Sequence, residues 1–471
     1  MMVINYFKVL LVLLLLGLTN NEELKGQGVS DSLVLSYDEY LENILIYHPI
    51  ARQADLKQKI AETQLMKARG FLDPEITAGW NEKSFDDKLY YRKYGAKLRF
   101  PTSIGLDVVG AYENTQGDYL NPENKTDEFG LWHVGLELNI LNGLLVNERS
   151  TAIKKAKVYQ SLAENEQQVL LNELMYAAVS AYLTWQKYYF SLEVLEENKA
   201  IAKTYFDNTR QAFLNGEKTS MDTLEASIAY QEADNYYLKN EMYLVKARQI
   251  IENYLWFENM PISLQDDAIP EYFKTPFFEN IAVYDVEYIE SHPKILAAIN
   301  KLSMAEIDQR LKREKFKPKL KLKYNPLLKT SDSYNIHSFS ASDYKLGFEF
   351  SMPLTFRKER ADVNMGKLKI QDMELDVERK RNELLNKTDA SWEQQLLLKR
   401  QIDIQNQNVV MYRQLLDGES EKFKYGESSV FLLNKRQEKY INSQLKLTDA
   451  YIMQQLEVLN FLYYSNQLLA Y

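Results

Sequence analysis

Residues 47–60 read YHPIARQADLKQKI, and residues 291–304 read SHPKILAAINKLSM. Each stretch opens on His-Pro and runs into apolar residues at helical spacing. His48 and His292 lie 244 positions apart, and so do Pro74 and Pro318. Landmarks sharing one offset read as an internal duplication, and a repeat constrains the architecture before any finer assignment. The division expected is 29–270 for the first structural repeat and 271–471 for the second.

Between these landmarks the chain avoids proline. All 11 prolines lie outside two windows, none between Pro122 and Pro261 and none after Pro353. Proline costs about 3 kcal/mol inside a helix, so such windows admit very long helices. Leu170, Leu174, Ala177 and Ala181 recur at helical spacing in the first. The break there is Gly216, followed by EKTSMDTLEA; the second window breaks at Gly426, followed by ESSVFLL. Asn147–Asn215 would form one helix about 100 Å long at about 1.5 Å per residue. Lys358–Tyr425 would form a second of nearly the same length, and the remaining helical segments, near Tyr37–Gly70, Met221–Phe257, Val283–Lys315 and Ser428–Gln467, are about half as long. Two such pieces stacked end to end match one long helix. By length, Met221–Phe257 pairs with Val283–Lys315, and Ser428–Gln467 with Tyr37–Gly70.

After Pro74 and Pro318 the period changes from 3.6 to 2. Ile76, Ala78 and Trp80 share one strand face, as do Trp132, Val134, Leu136, Leu138 and Ile140. In the second half Leu320, Leu322 and Tyr324 alternate with Lys319, Lys321 and Lys323. Tyr344, Leu346, Phe348, Phe350 and Met352 alternate with Lys345, Gly347, Glu349 and Ser351. Alternation over about ten residues suits a membrane barrel with one face to lipid and one to water. Glu75, Glu137 and the three lysines are candidates for the wet face. Residues 90–113 carry a further hairpin with weaker alternation, which could enlarge a barrel or project above it.

Composition excludes several functions. A net charge of −9 gives no basic footprint for nucleic acid. The absence of cysteine removes thiolate catalysis, disulfides and zinc-thiolate sites, and only four histidines are present. No phosphate loop, metal box or catalytic triad order occurs, so no enzyme activity and no cofactor is expected. At the amino terminus, Lys8 precedes an apolar run over Val9–Leu18. That run is too short to span a bilayer and reads as a signal peptide over residues 1–28.

Half-helix, strands, long helix, glycine turn and half-helix, all given twice, resemble the TolC-type outer-membrane efflux proteins, the outer membrane factors. The likeness runs from LSYDEYLENILIYHPIARQAD through GEKTSMDTLEA to GESSVFLLNKRQ. The turn pattern matches at Gly216, Thr219, Asp222 and Leu224. The resemblance implies a mainly α fold with a β-barrel portion. Each chain would supply a sector of a helical tube and about four or more strands of a trimeric barrel. It implies a homotrimer in the outer membrane of a diderm bacterium, with a large periplasmic portion. It also implies partners, namely outer-membrane lipid, a periplasmic membrane-fusion adaptor and an inner-membrane pump for efflux or type I secretion. The tip turns 216–220 and 426–429, with Gly216, Thr219, Gly426 and Ser429, become the expected adaptor contact. Pro74 and Pro318 become the helix–strand transitions. In similar proteins, gate acids lie six and nine positions past the second tip glycine; here those positions hold Leu432 and Lys435. The same offsets in the first half give Asp222 and Glu225. The acid–arginine bridge of the family has Ser428 in place of its arginine. Asp222, Glu225 and Leu432 are therefore the candidates for a periplasmic constriction, with simple helix capping the competing role for Asp222. The rival to a conduit is an exported structural coiled-coil protein without a channel.

Overall fold

A computed structural model describes residues 34–274, 287–332 and 335–470. The expected signal peptide lies outside these residues. Seven helices carry the architecture: α1 (Tyr37–Tyr47), α2 (Pro49–Arg69), α3 (Glu148–Leu214), α4 (Ser220–Glu252), α5 (Pro293–Glu314), α6 (Arg357–Lys424) and α7 (Val430–Tyr464). The proline-free windows hold α3 and α6, of 67 and 68 residues. α3 packs against α2, α4, α5 and α7, while α6 packs against α5 and α7.

The histidines explain the His-Pro echoes. His48 Nδ1 accepts from the Ile50 backbone N–H at 3.2 Å, and His292 Nδ1 from that of Lys294 at 3.1 Å. Each histidine caps a helix whose first residue is proline, where the missing N–H is harmless. Each ring also hydrogen-bonds the backbone at the end of another helix, Asn253 after α4 and Tyr463 in α7. The histidines therefore join half-length helices end to end, α2 to α4 and α5 to α7. This corrects the pairing by length, which matched each return helix to a half-helix from the other half of the chain. Lengths of 33 and 35 residues for α4 and α7 are too similar to discriminate. Local contacts discriminate instead: the Trp256 N–H donates to Asn43 Oδ1 at 3.3 Å, and Phe257 packs on Tyr47.

The densest core lies at this joint. Tyr40, Ile44, Tyr182, Leu183, Trp185, Ile251, Leu459 and Phe461 are wholly buried there, around the middle of α3. A parallel two-residue ladder, Val34–Leu35 with Ile269–Pro270, closes over it. The Tyr182 hydroxyl donates to the Leu35 carbonyl at 2.6 Å and accepts from the Glu271 N–H at 2.9 Å.

Beyond one end of the helices lies a single six-stranded sheet. Its strands are β1 (Glu75–Phe85), β2 (Lys88–Pro101), β3 (Leu106–Gln116), β4 (Leu131–Asn139), β5 (Lys319–Asp332) and β6 (Asn335–Ser351). They pair antiparallel in chain order from β1 to β6. Pro74 and Pro318 stand immediately before β1 and β5. The extra hairpin does not project: β2 and β3 are internal strands of the sheet.

Candidate functional site

The register sorts the sheet into two chemically different faces. Even-numbered residues pair across all six strands: Ile76 with Leu98, Leu98 with Gly110, Val108 with Leu136, Leu136 with Tyr324, and Leu322 with Phe348. This face is apolar and exposed, with Ile76 at 73% and Phe348 at 78% of full exposure. Ring pairs Trp80–Tyr94, Tyr112–Trp132 and Tyr324–Tyr344 stud it, with centroids 5.2, 4.9 and 5.9 Å apart. Rings with an apolar body and a polar tip suit a membrane–water boundary.

The odd-numbered face is charged and concave. His133 and Glu137 there are only 6% and 7% exposed. Glu137 on β4 bridges Lys97 on β2 at 2.9 Å and Lys321 on β5 at 2.6 Å. Glu113 on β3 reaches Lys345 on β6 at 2.7 Å, across two intervening strands. Strands stand about 4.8 Å apart, so this contact requires the sheet to curl toward its charged side. Glu75 and Lys319 lie on the same face, and Lys323 approaches Glu349 at 3.9 Å. Asp107 ties the sheet to the helices, accepting from Arg99 at 3.0 Å and from Arg149 of α3 at 2.5 Å.

At the far end two turns reverse the helices in the same way. Gly216 and Gly426 have φ of +79° and +76°, a conformation that costs other residues about 1–2 kcal/mol. In the first turn the Glu217 N–H donates to the Ala212 carbonyl at 2.8 Å; in the second, Glu427 N–H donates to Lys422 at 2.9 Å. Thr219 caps α4, its Oγ1 accepting from Asp222 N–H at 3.2 Å, and Asp222 Oδ2 accepts the Thr219 N–H at 3.0 Å. That reciprocal capping box holds the Asp222 carboxyl below the ordinary carboxylate range, chiefly through the Thr219 backbone bond. Ser429 caps α7 by accepting from Leu432 N–H at 3.2 Å.

The structure thus places Asp222 in a cap. Glu225 stands one turn on, in a groove of about 430 Å³ between α4 and α7 that Phe431 and Lys435 also line. Leu432 is half-buried on the first turn of α7. Sequence reasoning missed Glu419. It is buried, accepting from the Ser428 hydroxyl at 2.6 Å and pairing with Arg436 Nε at 3.5 Å across the second turn. No periodic signal links 419, 428 and 436, because the turn between them breaks the helical count. Between the two tips runs a second groove of about 550 Å³, which Tyr205, Lys218, Phe423 and Leu433 help line. Around the tips Leu214, Met221, Leu224, Tyr425 and Phe431 are exposed.

Residues 286–457 match the family model described as outer membrane efflux protein. That match spans α5, β5, β6, α6 and most of α7. Solved structures share the fold along nearly the whole length of the chain. A membrane protein of Pseudomonas aeruginosa aligns with a TM-score of 0.67 at 14% identity, covering 95% of this chain and 99% of its own. The CmeC outer membrane channel of Campylobacter jejuni aligns at 0.66 and 12% identity, covering 96% and 94%. The outer membrane protein VceC of Vibrio cholerae aligns at 0.66 and 13% identity, covering 91% and 95%. No curated protein matches the chain by sequence. Among its described residues, no helix is long and apolar enough to cross a membrane. No cluster of three or more metal-ligating side chains occurs among them either.

Proposed function

We propose that this chain is the outer-membrane channel of a tripartite efflux or type I secretion system. It catalyses no reaction; an inner-membrane pump supplies the energy, and a periplasmic adaptor links pump to channel. Three copies close one barrel in the outer membrane, and their helices continue as a tube into the periplasm. The two repeats, 29–270 and 271–471, give each chain two quasi-equivalent sectors of that tube.

One observation carries this reading: a sheet apolar on its convex face and charged on its concave face, continuous with helices of about 100 Å. A coiled-coil protein without a channel has no use for such a face. In this arrangement the tips around Gly216, Thr219, Gly426 and Ser429 meet the adaptor, and their exposed Leu214, Met221 and Phe431 supply apolar contact area. Glu225 and Leu432 narrow the tube just inside the tips, while Asp222 shapes the turn by capping α4.

Purified protein in detergent, followed by planar-bilayer recording, tests the whole proposal. Trimers that conduct ions are expected; a monomer that never passes current would overturn it. Recordings on Glu225→Gln and Leu432→Ala address the constriction. Either substitution should raise open probability or alter cation preference, and two unchanged channels would remove those residues from the gate.

A further inference from the structure

We infer that each chain contributes six strands to the barrel, so that the trimer closes with eighteen, through pairing of β6 of one copy with β1 of the next. The inference deepens the trimeric reading above and rests on it. The alternating pattern in the sequence marks four strands per chain, which would give twelve. With the observed pairing of β3 through β6 kept, a four-strand sector would leave the β1–β2 hairpin outside the barrel, and four observations place that hairpin in the wall.

First, all strands run between the same two levels. β1 leaves the helical region directly after α2 and Pro74, as β5 does after α5 and Pro318. The β2–β3 turn returns to that level and is fastened there. Gly105 N–H donates to the Leu144 carbonyl at 2.7 Å, and Asn147 Nδ2 donates to the Ser103 carbonyl at 3.0 Å. Second, the hairpin is in phase with the rest of the sheet. Ile76, Ala78 and Trp80 continue the apolar face of Leu98, Val108 and Leu136, while Thr77 and Lys97 continue the charged one. A hairpin projecting into water would have no need of that phase.

Third, the sheet is open at both ends. Among the described residues β1 pairs only with β2, and β6 only with β5. Unpaired edges are costly next to lipid, where no water can satisfy the backbone. Fourth, the two edges complement each other. An even number of alternating strands makes β6 antiparallel to the next copy's β1, and both edges expose their apolar residues on the same face. Placing Ile76 opposite Phe350 continues that face across the seam and sets Gly79 opposite Gly347. At about 4.8 Å spacing and about 40° tilt, eighteen strands enclose a backbone diameter of about 36 Å and twelve about 24 Å. The cross-section is then about twofold larger, so the tips rather than the membrane segment sieve the cargo.

Disulfide trapping in native membranes tests the seam, because the chain has no cysteine of its own. Gly79 and Gly347 both have open space where a Cβ would stand. Gly79→Cys with Gly347→Cys, scanned over neighbouring registers with Thr77→Cys and Asn81→Cys, should give covalent trimers on non-reducing gels. Trimers trapped by Ala111→Cys with Gly347→Cys, and by none of the β1 pairs, would overturn the eighteen-strand barrel but leave the trimeric channel standing. No inter-chain product from any pair, together with a monomer in detergent, would overturn both. End-on electron microscopy of the unmodified trimer reads the same quantity: a barrel nearer about 36 Å supports the inference, and one nearer about 24 Å rejects it.

Discussion

Two levels of the helical layer hold their shape by different means. At the joint, Trp185, Tyr40, Tyr182 and Phe461 are excluded from water, and hydroxyls and ring nitrogens fasten four helix ends. At the tips, each reversal depends on one glycine, one cap and a few exposed apolar side chains. A single layer of helices cannot bury much along its length, so its cohesion concentrates where discontinuous helices must be held end to end. The tips are left with small local stabilities, which suits the docking and opening proposed for them.

The contrast can be broken most forcefully at the joint. Trp185→Ala removes the largest wholly buried side chain and should cost about 3–5 kcal/mol, read as a loss of trimer heat stability rather than of conductance in survivors. The next effect is one of pH. Burial lowers the pKa of His292 to about 4, the Tyr463 backbone bond opposing only in part. The unfolded chain titrates near 6.5, so between about 6.5 and 4 it takes up a proton that the folded chain refuses. Stability should therefore fall as pH drops through that window, by up to about 3 kcal/mol, and level off below it. His292→Asn, which retains a capping side chain, should flatten the profile of unfolding midpoint against pH. An unaltered profile would show that the joint does not carry the pH dependence. Smallest is the tip: Thr219→Ala should cost only about 1 kcal/mol, seen as faster hydrogen exchange confined to the start of α4. A change in exchange near Trp185 would mean that the two levels are coupled.

Much of this organisation was readable in the residues. Proline avoidance located α3 and α6, and glycine with Thr or Ser located both reversals, because these signals act within a few residues. Period-2 alternation found β1, β4, β5 and the strong part of β6. It understated β2 and β3, where Gly95 and Gly110 stand at face positions and carry no side chain for the eye to count. Their membership depends on pairing with neighbours, a tertiary fact. The helix pairing failed for a similar reason: half-helices of nearly equal length are interchangeable on paper, and contacts of His48, His292, Trp256 and Phe257 specify the partner. Glu419 escaped because its partners lie across a turn.

The short ladder of Val34–Leu35 with Ile269–Pro270 has a consequence for biogenesis. Synthesis delivers the amino terminus first, yet that terminus cannot dock until more than two hundred further residues have emerged. β4 likewise waits for β5, which follows the whole of α3 and α4. Native contacts of such long range form slowly and leave apolar strands uncovered meanwhile. Newly made chains should therefore depend on periplasmic holding factors for longer than a hairpin-by-hairpin barrel of equal size.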